Sequence, residues 1–257
     1  DALLAEQPGV SWDETFGRLR DELQSFEGLA AMREPASFVG SLRPYQREGV
    51  GWFDFLRRFG FGGCLADDMG LGKTVQALAL LEHRRHEGQG LSLVVAPSSV
   101  VANWIDEARR FTPGLPACNH TGGERVKTAE ALPRSGVVVT SYAILRRDIG
   151  WLRDAEFDYV ILDEAQAIKN AKTAVAKAAR LLKASHRLAM SGTPIENHLG
   201  ELWSLFEFLN PGMLGANTVF QRMLSSHGLD IEDEARDLLC RAVRPFILRR
   251  TKGQVAK

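Results

Sequence analysis

The sequence predicts an α/β protein with a mainly parallel central sheet that is covered by helices on both faces. Between Gly62 and about Asn210, short apolar runs alternate with segments whose apolar residues recur at three- and four-residue spacing. The runs are apolar along nearly their whole length, as strands buried on both faces are. The chemically distinctive residues follow directly after these runs, where ligands bind in sheets of this kind.

Five runs are predicted as strands, and three segments between them are predicted as helices. The predicted strands are Gly63–Ala66, Leu91–Ala96, Val137–Thr140, Tyr159–Leu162 and Arg187–Met190. The predicted helices are Thr74–Arg85, Val100–Phe111 and Thr173–Lys183. Regular alternation of strands and helices is typical of a doubly wound parallel sheet.

Both ends of the chain are predicted to add helical extensions. Trp12 to Ala31 has the pattern of one amphipathic helix, and Glu34 to Gly40 has the pattern of a connector. At the other end, helical residues follow Asn217, and Glu232 to Ala242 forms a further candidate helix. We therefore divide the chain into an extension and connector (1–40), a lobe (41–215) and a second extension (216–257). The charged last residues have the character of a cut within a longer protein.

Composition limits the classes of partner. Lys+Arg and Asp+Glu both total 32, so contact with nucleic acid would have to come from a local patch. Apolar stretches such as Leu91 to Pro97 are too short to cross a bilayer, and the first residues do not resemble a signal peptide. The 3 cysteines and 6 histidines show no metal-ligand spacing, although His83 and His86 come nearest. We expect a cytoplasmic protein, associated with the nucleoid in a bacterium or nuclear in a eukaryote.

The segment Gly70-Leu-Gly-Lys-Thr74 has the pattern of a phosphate-binding loop. Glycines allow backbone N–H groups to wrap a phosphate chain, and the helix that follows adds its positive end. Lys73 would reach the outer phosphates, and the Thr74 hydroxyl would hold Mg²⁺. The strict motif has glycine where this chain has Asp67. From this segment alone, the alternative that it is only a glycine-rich turn at the start of a core helix therefore remains possible.

Asp163 and Glu164 follow the predicted strand that ends at Leu162. A carboxylate at a strand end opposite a phosphate-binding loop can anchor Mg²⁺ through water. An adjacent glutamate can orient and deprotonate an attacking water molecule. The alternative is that the two residues are solvated acids in a turn. The pair directly follows an apolar strand, however, and lies about ninety residues after the loop, and this position favours the catalytic interpretation.

Four motifs in this order resemble superfamily-2 helicase-like ATPases, and most closely the Swi/Snf family of double-stranded DNA translocases. They are Leu42-Arg-Pro-Tyr-Gln46, Asp67-Asp-Met-Gly-Leu-Gly-Lys-Thr74, Asp163-Glu-Ala-Gln166, and the long motif III from Ser191 to Phe206. Phe246 to Lys252 resembles the family's segment that leads toward a second lobe. The resemblance covers about 41–257, and the family also lacks a glycine at the position of Asp67.

The resemblance implies a RecA-like lobe that binds ATP and Mg²⁺. The implied nucleotide-binding residues are Arg43, Tyr45, Gln46, Met69, Gly70, Leu71, Gly72, Lys73 and Thr74. Among them, Gln46 would read the adenine edge. Thr74 and Asp163 would serve the metal, with Lys73, Asp163 and Glu164 as the catalytic set. Gln166, which replaces a histidine found in many relatives, would couple the ATP site to DNA together with Ser191 and Thr193.

The resemblance also implies contacts with the phosphates of one DNA strand. The implied residues are Pro97, Ser98 and Ser99 in motif Ia and Thr140 and Ser141 in motif Ib. Contacts of this kind position a protein without reading sequence. For Trp104, which also lies in motif Ia, a core position is favoured. For the Arg146-Arg147 pair, a solvated face is favoured over phosphate contact.

The motifs and the resemblance together predict the N-terminal lobe of a DNA-dependent ATPase that moves along duplex DNA without separating its strands and remodels protein–DNA complexes. The predicted partners are double-stranded DNA and a second RecA-like lobe, with no membrane, and the fragment is expected to be monomeric and nearly inactive. A strand-separating helicase and a nucleotide-binding scaffold that does not hydrolyse ATP are the alternatives. Scaffolds of this kind commonly lose the lysine or the glutamate, and the sequence keeps both Lys73 and Glu164.

Overall fold

The computed structural model describes residues 30–192, 199–216, 220, 239 and 241–255. In this part of the chain, seven strands form one sheet in the order β3-β4-β2-β5-β6-β1-β7. All the strand pairs of this sheet are parallel. The strands are β1 (Gly63–Leu65), β2 (Leu91–Ala96), β3 (Ala117–Asn119), β4 (Gly136–Ser141), β5 (Glu156–Leu162), β6 (Lys183–Met190) and β7 (Ile247–Leu248).

Five of the seven helices in the described residues lie between strands along the chain, the first precedes β1, and the last follows β7. The helices are α1 (Pro44–Arg58), α2 (Lys73–His86), α3 (Val101–Phe111), α4 (Tyr142–Leu152), α5 (Ala174–Leu181), α6 (Leu199–Leu209) and α7 (Lys252–Val255). Short 3₁₀ turns lie at Ser98–Val100, Ala129–Ala131, Ala165–Ile168 and Arg244–Phe246. In the described part of the chain, no helix has both the length and the apolar character needed to cross a membrane.

Two apolar clusters cover the two faces of the sheet. On one face, α1, α2 and α3 bury large side chains such as Phe53, Leu78 and Trp104. On the other face, α4, α5 and α6 contribute buried residues that include Leu145 and Phe208. Because both faces are covered, the central strands are buried along their length, which explains their continuous apolar sequence.

The strand order brings the distinctive loops to one edge of the sheet. β5, β6 and β1 are neighbours, so the loops that follow their carboxyl ends lie side by side. The backbone N–H of Asp163, after β5, bonds the Val95 carbonyl of β2 at 2.8 Å. The N–H of Ser191, after β6, bonds the Leu65 carbonyl at the end of β1 at 3.0 Å. The sheet therefore holds the candidate site in register through its own hydrogen bonds.

The predicted parallel sheet with helices on both faces is confirmed, with differences at three elements. The five predicted strands and three predicted helices are all present; Leu91–Ala96 has its predicted bounds, and the other elements have shifted ends. The sequence patterns do not predict β3, α4 or β7. Ile247–Leu248 lies in the region predicted as a C-terminal helical extension, but it pairs with β1 as a strand of the main sheet. The predicted helices after Asn217 lie almost entirely outside the described residues.

The predicted N-terminal helix also falls outside the described residues, except for its last two positions. The connector after it packs against the lobe. Glu34 forms an ion pair with Arg47 of α1 at 2.9 Å, and the Val39 N–H bonds the Phe111 carbonyl at 2.7 Å. The rings of Phe38 and Phe111 stack with their centroids 5.8 Å apart. The connector is thus fixed to both α1 and α3.

Candidate active site

The phosphate-binding loop connects β1 to α2. Gly70 and Gly72 have φ angles of 85° and 75°, in the left-handed region that glycine adopts without strain. Lys73 then begins the helix, and its Nζ donates to the Asp67 carbonyl at 2.7 Å. This contact keeps the ammonium group within the curve of the loop, where lysines of such loops bind phosphate oxygens. Met69, at the tip of the loop, is exposed.

The start of α1 is joined to this loop. The Tyr45 hydroxyl and the Gln46 Nε2 both donate to the Leu71 carbonyl, each at 3.1 Å. Gln46 Oε1 accepts the backbone N–H of Arg43 at 2.9 Å. Each half of the buried Gln46 amide therefore has one internal partner, and an amide can make four hydrogen bonds in all. These two contacts leave one donor and one acceptor of the amide unused. Arg43 itself is exposed at the mouth of this region.

Asp163 is held by three groups of the chain at the end of β5. Its Oδ2 accepts the indole N–H of Trp104 at 2.8 Å, and its Oδ1 accepts the backbone N–H of Glu164 at 2.9 Å. Its carbonyl accepts the Tyr142 hydroxyl at 2.7 Å. Burial raises the pKa of Asp163, while the Trp104 hydrogen bond and the nearby Lys73 ammonium act to lower it. The same burial raises the pKa of Tyr142 well above its usual value.

The oxygen groups in this region fit Mg²⁺. Thr74 offers a hydroxyl at the first turn of α2, and Asp163 offers a carboxylate whose orientation is fixed by two hydrogen bonds. Hard oxygen donors of this kind, completed by water and phosphate oxygens, are those that Mg²⁺ prefers. No cluster of three or more His, Cys, Asp or Glu side chains that could hold a metal ion occurs among the described residues.

Glu164, Gln166 and Ser191 form a chain of hydrogen bonds across the site. Gln166 Nε2 donates to Glu164 Oε2 at 2.8 Å, and the Ser191 hydroxyl contacts Gln166 Oε1 at 3.4 Å. Glu164 has a φ of 49°, the one left-handed non-glycine residue of the described chain. Such a conformation is typical of functional turns. Gln166 thus links the candidate base to the segment after β6. Thr193, the other predicted coupling residue, lies outside the described residues.

The segment after β6 also touches the phosphate-binding loop. A Cβ atom at Gly192 would lie 3.0 Å from Met69 Cγ and 3.7 Å from Lys73 Nζ. A side chain at this position would therefore press on the loop. This close approach places Gly192 beside the predicted phosphate-binding lysine.

Replacing Trp104 with phenylalanine should test how Asp163 is held. The variant keeps a ring in the core but removes the donor to a buried carboxylate, so we expect the free energy of unfolding to fall by about 1–3 kcal/mol. The pKa of Asp163 should rise further, because the bond that lowers it is gone. Mg²⁺-dependent nucleotide binding should then be lost at a higher pH than in the parent as pH is lowered. Equal pH profiles for the two proteins would contradict this role.

The predicted DNA-contacting residues differ in their surroundings. Ser98 and Ser99 are exposed in the 3₁₀ turn after β2, and Pro97 is half-buried before it. Thr140 is fully buried in β4, and its hydroxyl donates to the His120 carbonyl at 2.9 Å. Ser141 is buried as well, and its hydroxyl caps α4. The motif Ia loop thus presents hydroxyl groups to solvent, whereas both hydroxyls of motif Ib have internal roles.

Two residues of the site were not predicted as such. Trp104 has the buried position expected from its spacing, but its contact with Asp163 joins residues that are 59 positions apart in the sequence. Arg250 is buried against Asp67 of the phosphate-binding loop, with its Nη2 2.6 Å from Oδ2. The sequence feature that could have indicated this arginine is Asp67 itself, because the strict phosphate-binding motif has glycine at that position. An acid buried at that position needs a cation or donors nearby.

Comparison with known proteins decides the family. The model of the SNF2-related domain matches residues 45–257. The chain belongs to the SNF2 family. It is 40% identical to the Sulfolobus solfataricus SWI2/SNF2 ATPase core in complex with double-stranded DNA, with a TM-score of 0.76 over 88% of this chain and 47% of that one. The seven-stranded sheet is therefore the RecA-like lobe of an SNF2-type ATPase core.

Curated relatives are longer than this chain. YwqA of Bacillus subtilis, a candidate ATP-dependent helicase/translocase, is 44% identical over 237 residues, which cover 90% of this chain and 26% of YwqA. The TATA-binding protein-associated factor mot1 of Aspergillus fumigatus is 37% identical over 287 residues, with 99% of this chain and 15% of mot1 covered. The SNF2 lobe described here thus spans about a quarter or less of these relatives.

Proposed function

We propose that this chain is the N-terminal, ATP-binding lobe of an SNF2-type DNA-dependent ATPase that moves along duplex DNA and remodels protein–DNA complexes. One observation carries the proposal. A loop lysine, a fixed Asp–Glu pair and the Gln166–Ser191 link meet at the carboxyl edge of one parallel sheet. A scaffold that had lost hydrolysis would have no need for this whole set.

The side chains divide the work of hydrolysis. Lys73 and the N–H groups that open α2 would bind the phosphates, and Thr74 with Asp163 would hold Mg²⁺, which supplies charge neutralisation on the transferred group. Glu164 would accept a proton from the attacking water. Gln166 donates to Glu164 Oε2 and so orients this carboxylate. The same amide contacts Ser191. Through this contact, Ser191 would couple nucleotide binding and hydrolysis to the loops that are proposed to contact DNA.

Duplex DNA is the proposed partner. The name of the Sulfolobus structure records double-stranded DNA bound to an SNF2 core that is 40% identical to this chain. Exposed hydroxyls of Ser98 and Ser99 follow β2 on the site edge, and hydroxyls of this kind contact phosphates without reading sequence. At Thr140 the hydroxyl has an internal partner, so any contribution of this strand end would come from backbone or neighbouring groups. The net charge of zero agrees with contact through local loops.

A second RecA-like lobe is proposed to complete the ATPase. This chain covers 47% of the Sulfolobus core, which leaves room there for a further lobe of similar size. Two lobes that close on ATP and open after hydrolysis would step along DNA. A strand-separating helicase remains the second candidate, because YwqA is described as a helicase/translocase. Unwinding of a forked duplex by the full-length protein would favour it.

Gln46→Ala should reveal what the glutamine contributes. If Gln46 reads adenine through its remaining donor and acceptor, the variant should lose the preference for ATP over GTP. Loss of its hydrogen bond to the Leu71 carbonyl should also weaken the binding of both ATP and GTP. The expected loss of binding free energy is about 0.5–1.5 kcal/mol, the usual value of one neutral hydrogen bond. Competition titrations with ATP and GTP on the parent and the variant measure both effects. Equal binding of ATP and GTP by the parent would remove the adenine-reading role.

Titration of the chain with a fluorescent ADP analogue and Mg²⁺ tests the ATP-binding proposal directly. We expect saturable binding that Lys73→Ala weakens and that an exposed control, Arg109→Ala, leaves unchanged. Arg109 lies at the solvent-exposed end of α3, where it forms an ion pair with Asp106, which is also exposed. Absence of binding by the parent at millimolar nucleotide would contradict the proposal.

A further inference from the structure

Asp67, at the start of the phosphate-binding loop, is fully buried and bound by an arginine from the far end of the chain. The Arg250 backbone N–H and Nε both lie 3.0 Å from Asp67 Oδ1, and Nη2 lies 2.6 Å from Oδ2. Gln76 of α2 adds a further donor to Oδ2 at 3.3 Å. The two side chains are separated by 183 positions in the sequence. The Nε and Nη2 groups of the guanidinium thus bind the two oxygens of this carboxylate in a bidentate arrangement.

The surroundings are shaped for this arginine. Nη2 of Arg250 also donates to Gln76 Oε1 at 2.9 Å, and Nη1 donates to the Tyr45 carbonyl. The guanidinium lies over the Tyr45 ring, 5.2 Å from its centroid. Gly49, in the middle of α1, leaves the required space, because a Cβ there would lie 2.0 Å from Gln76 Oε1 and 3.0 Å from Arg250 Nη2. A glycine inside a helix costs stability, so this one is explained by the room it leaves.

The backbone on either side of Arg250 runs along the loop. Leu248 pairs with Leu65 of β1, and its carbonyl accepts the Ala66 N–H at 2.7 Å. The Arg250 carbonyl accepts the Asp68 N–H at 3.0 Å. The Lys252 N–H then bonds Asp68 Oδ2 at 3.1 Å. The C-terminal segment therefore extends the sheet beyond the end of β1 and fixes the first residues of the loop one by one.

The arrangement connects Arg250 to both halves of the nucleotide site. Its partner Asp67 uses its own carbonyl to accept Lys73 Nζ at 2.7 Å. Its other partner, Tyr45, bonds the Leu71 carbonyl in the same loop. A buried ion pair contributes little net stability compared with apolar residues of similar volume. Placement of Lys73 and Tyr45 therefore explains the pair better than stability does.

We propose that Arg250 is a positioning residue of the nucleotide site, which acts through Asp67 and Tyr45 to set the loop for the phosphates and base of a nucleoside triphosphate. This inference rests on the proposed function, since it deepens the ATP-binding role of the same loop. It also assigns β7 and the residues after it to the ATP site. In the sequence, this segment had resembled only a bridge toward a second lobe.

The test compares Arg250→Ala with Arg249→Ala, its exposed neighbour, in the 257-residue chain. Titration with Mg²⁺ and a fluorescent ADP analogue should show affinity lowered by about 10- to 100-fold for Arg250→Ala, the range for loss of hydrogen bonds to a charged group, and unchanged for Arg249→Ala. Arg250→Lys keeps the charge without the fork and should recover only part of the loss. Affinity is measured at a temperature where circular dichroism shows each variant folded, so a purely structural role would leave it unmoved.

A double variant keeps the proposal testable if Arg250→Ala does not fold. Asp67→Asn with Arg250→Gln removes both buried charges together, so no lone charge is left inside. It should fold, yet bind ADP about ten-fold or more weakly. If the folded variant binds ADP with an affinity within twofold of the parent, Arg250 is not a positioning residue, although the proposed function would still stand. Absence of binding by the parent itself would overturn the proposed function, and this inference with it.

Discussion

Replacing Glu164 with glutamine should lower the turnover of the full-length ATPase by about 10²- to 10⁴-fold, the usual range for loss of a general base. The amide has nearly the shape of the carboxylate and can still accept the Gln166 hydrogen bond through its oxygen. It cannot accept a proton from water at neutral pH. Nucleotide affinity should be unchanged, because none of the groups proposed to bind phosphate has been altered.

Lys73→Ala is the matched control, because it should fail in a different way. Its ammonium is proposed to contact phosphates, so the variant should bind nucleotide weakly and lose turnover as a consequence. Equilibrium titration and single-turnover kinetics on both variants separate the two effects. If Glu164→Gln hydrolyses ATP at the parental rate, Glu164 is not the base.

Residues 1–257 alone should show almost no ATPase activity, and duplex DNA should not raise it. In the proposed two-lobe arrangement, arginines from the second lobe would complete the charge on the γ-phosphate, and an arginine of this kind accounts for about 10³–10⁵ in rate. Arg250 lies beside the loop, but Asp67, Gln76 and the Tyr45 carbonyl already bind its guanidinium. It is therefore not placed to supply this charge.

Comparing the fragment with the full-length protein at equal concentrations measures the effect. The Glu164→Gln fragment is the control, since any turnover it shares with the parent fragment belongs to a contaminating enzyme. Robust DNA-stimulated turnover by the parent fragment, absent from this control, would contradict the division of the site between two lobes.

The central strands could be predicted because their burial on both faces leaves a continuous apolar run in the sequence. The strands that were missed are short and lie at the sheet edges. Ala117–Asn119 has only three residues, two of them exposed, and Ile247–Leu248 has two, both half-buried. Both depend on pairing with distant segments, β4 and β1, and no local pattern records such pairing.

The site shows the same limit. Lys73, Asp163 and Glu164 belong to compact motifs, and the strand order that joins them follows from an ordinary parallel sheet. The groups that orient them come from elsewhere. Trp104 reaches Asp163 from α3, and Arg250 reaches Asp67 across 183 positions. For Thr140, the resemblance implies a contact with DNA phosphate, whereas its buried hydroxyl donates to the His120 carbonyl.

ATP hydrolysis by the full-length protein, measured without DNA, with single-stranded DNA and with closed circular duplex DNA, tests the central claim most directly. A closed duplex offers no ends, so stimulation by it requires engagement of intact double-stranded DNA. We expect the duplex to stimulate turnover strongly, single strands to stimulate it less, and Glu164→Gln to remain inactive with either. Turnover that no DNA changes, or that only single strands stimulate, would contradict the assignment of this chain to a duplex-DNA-driven ATPase.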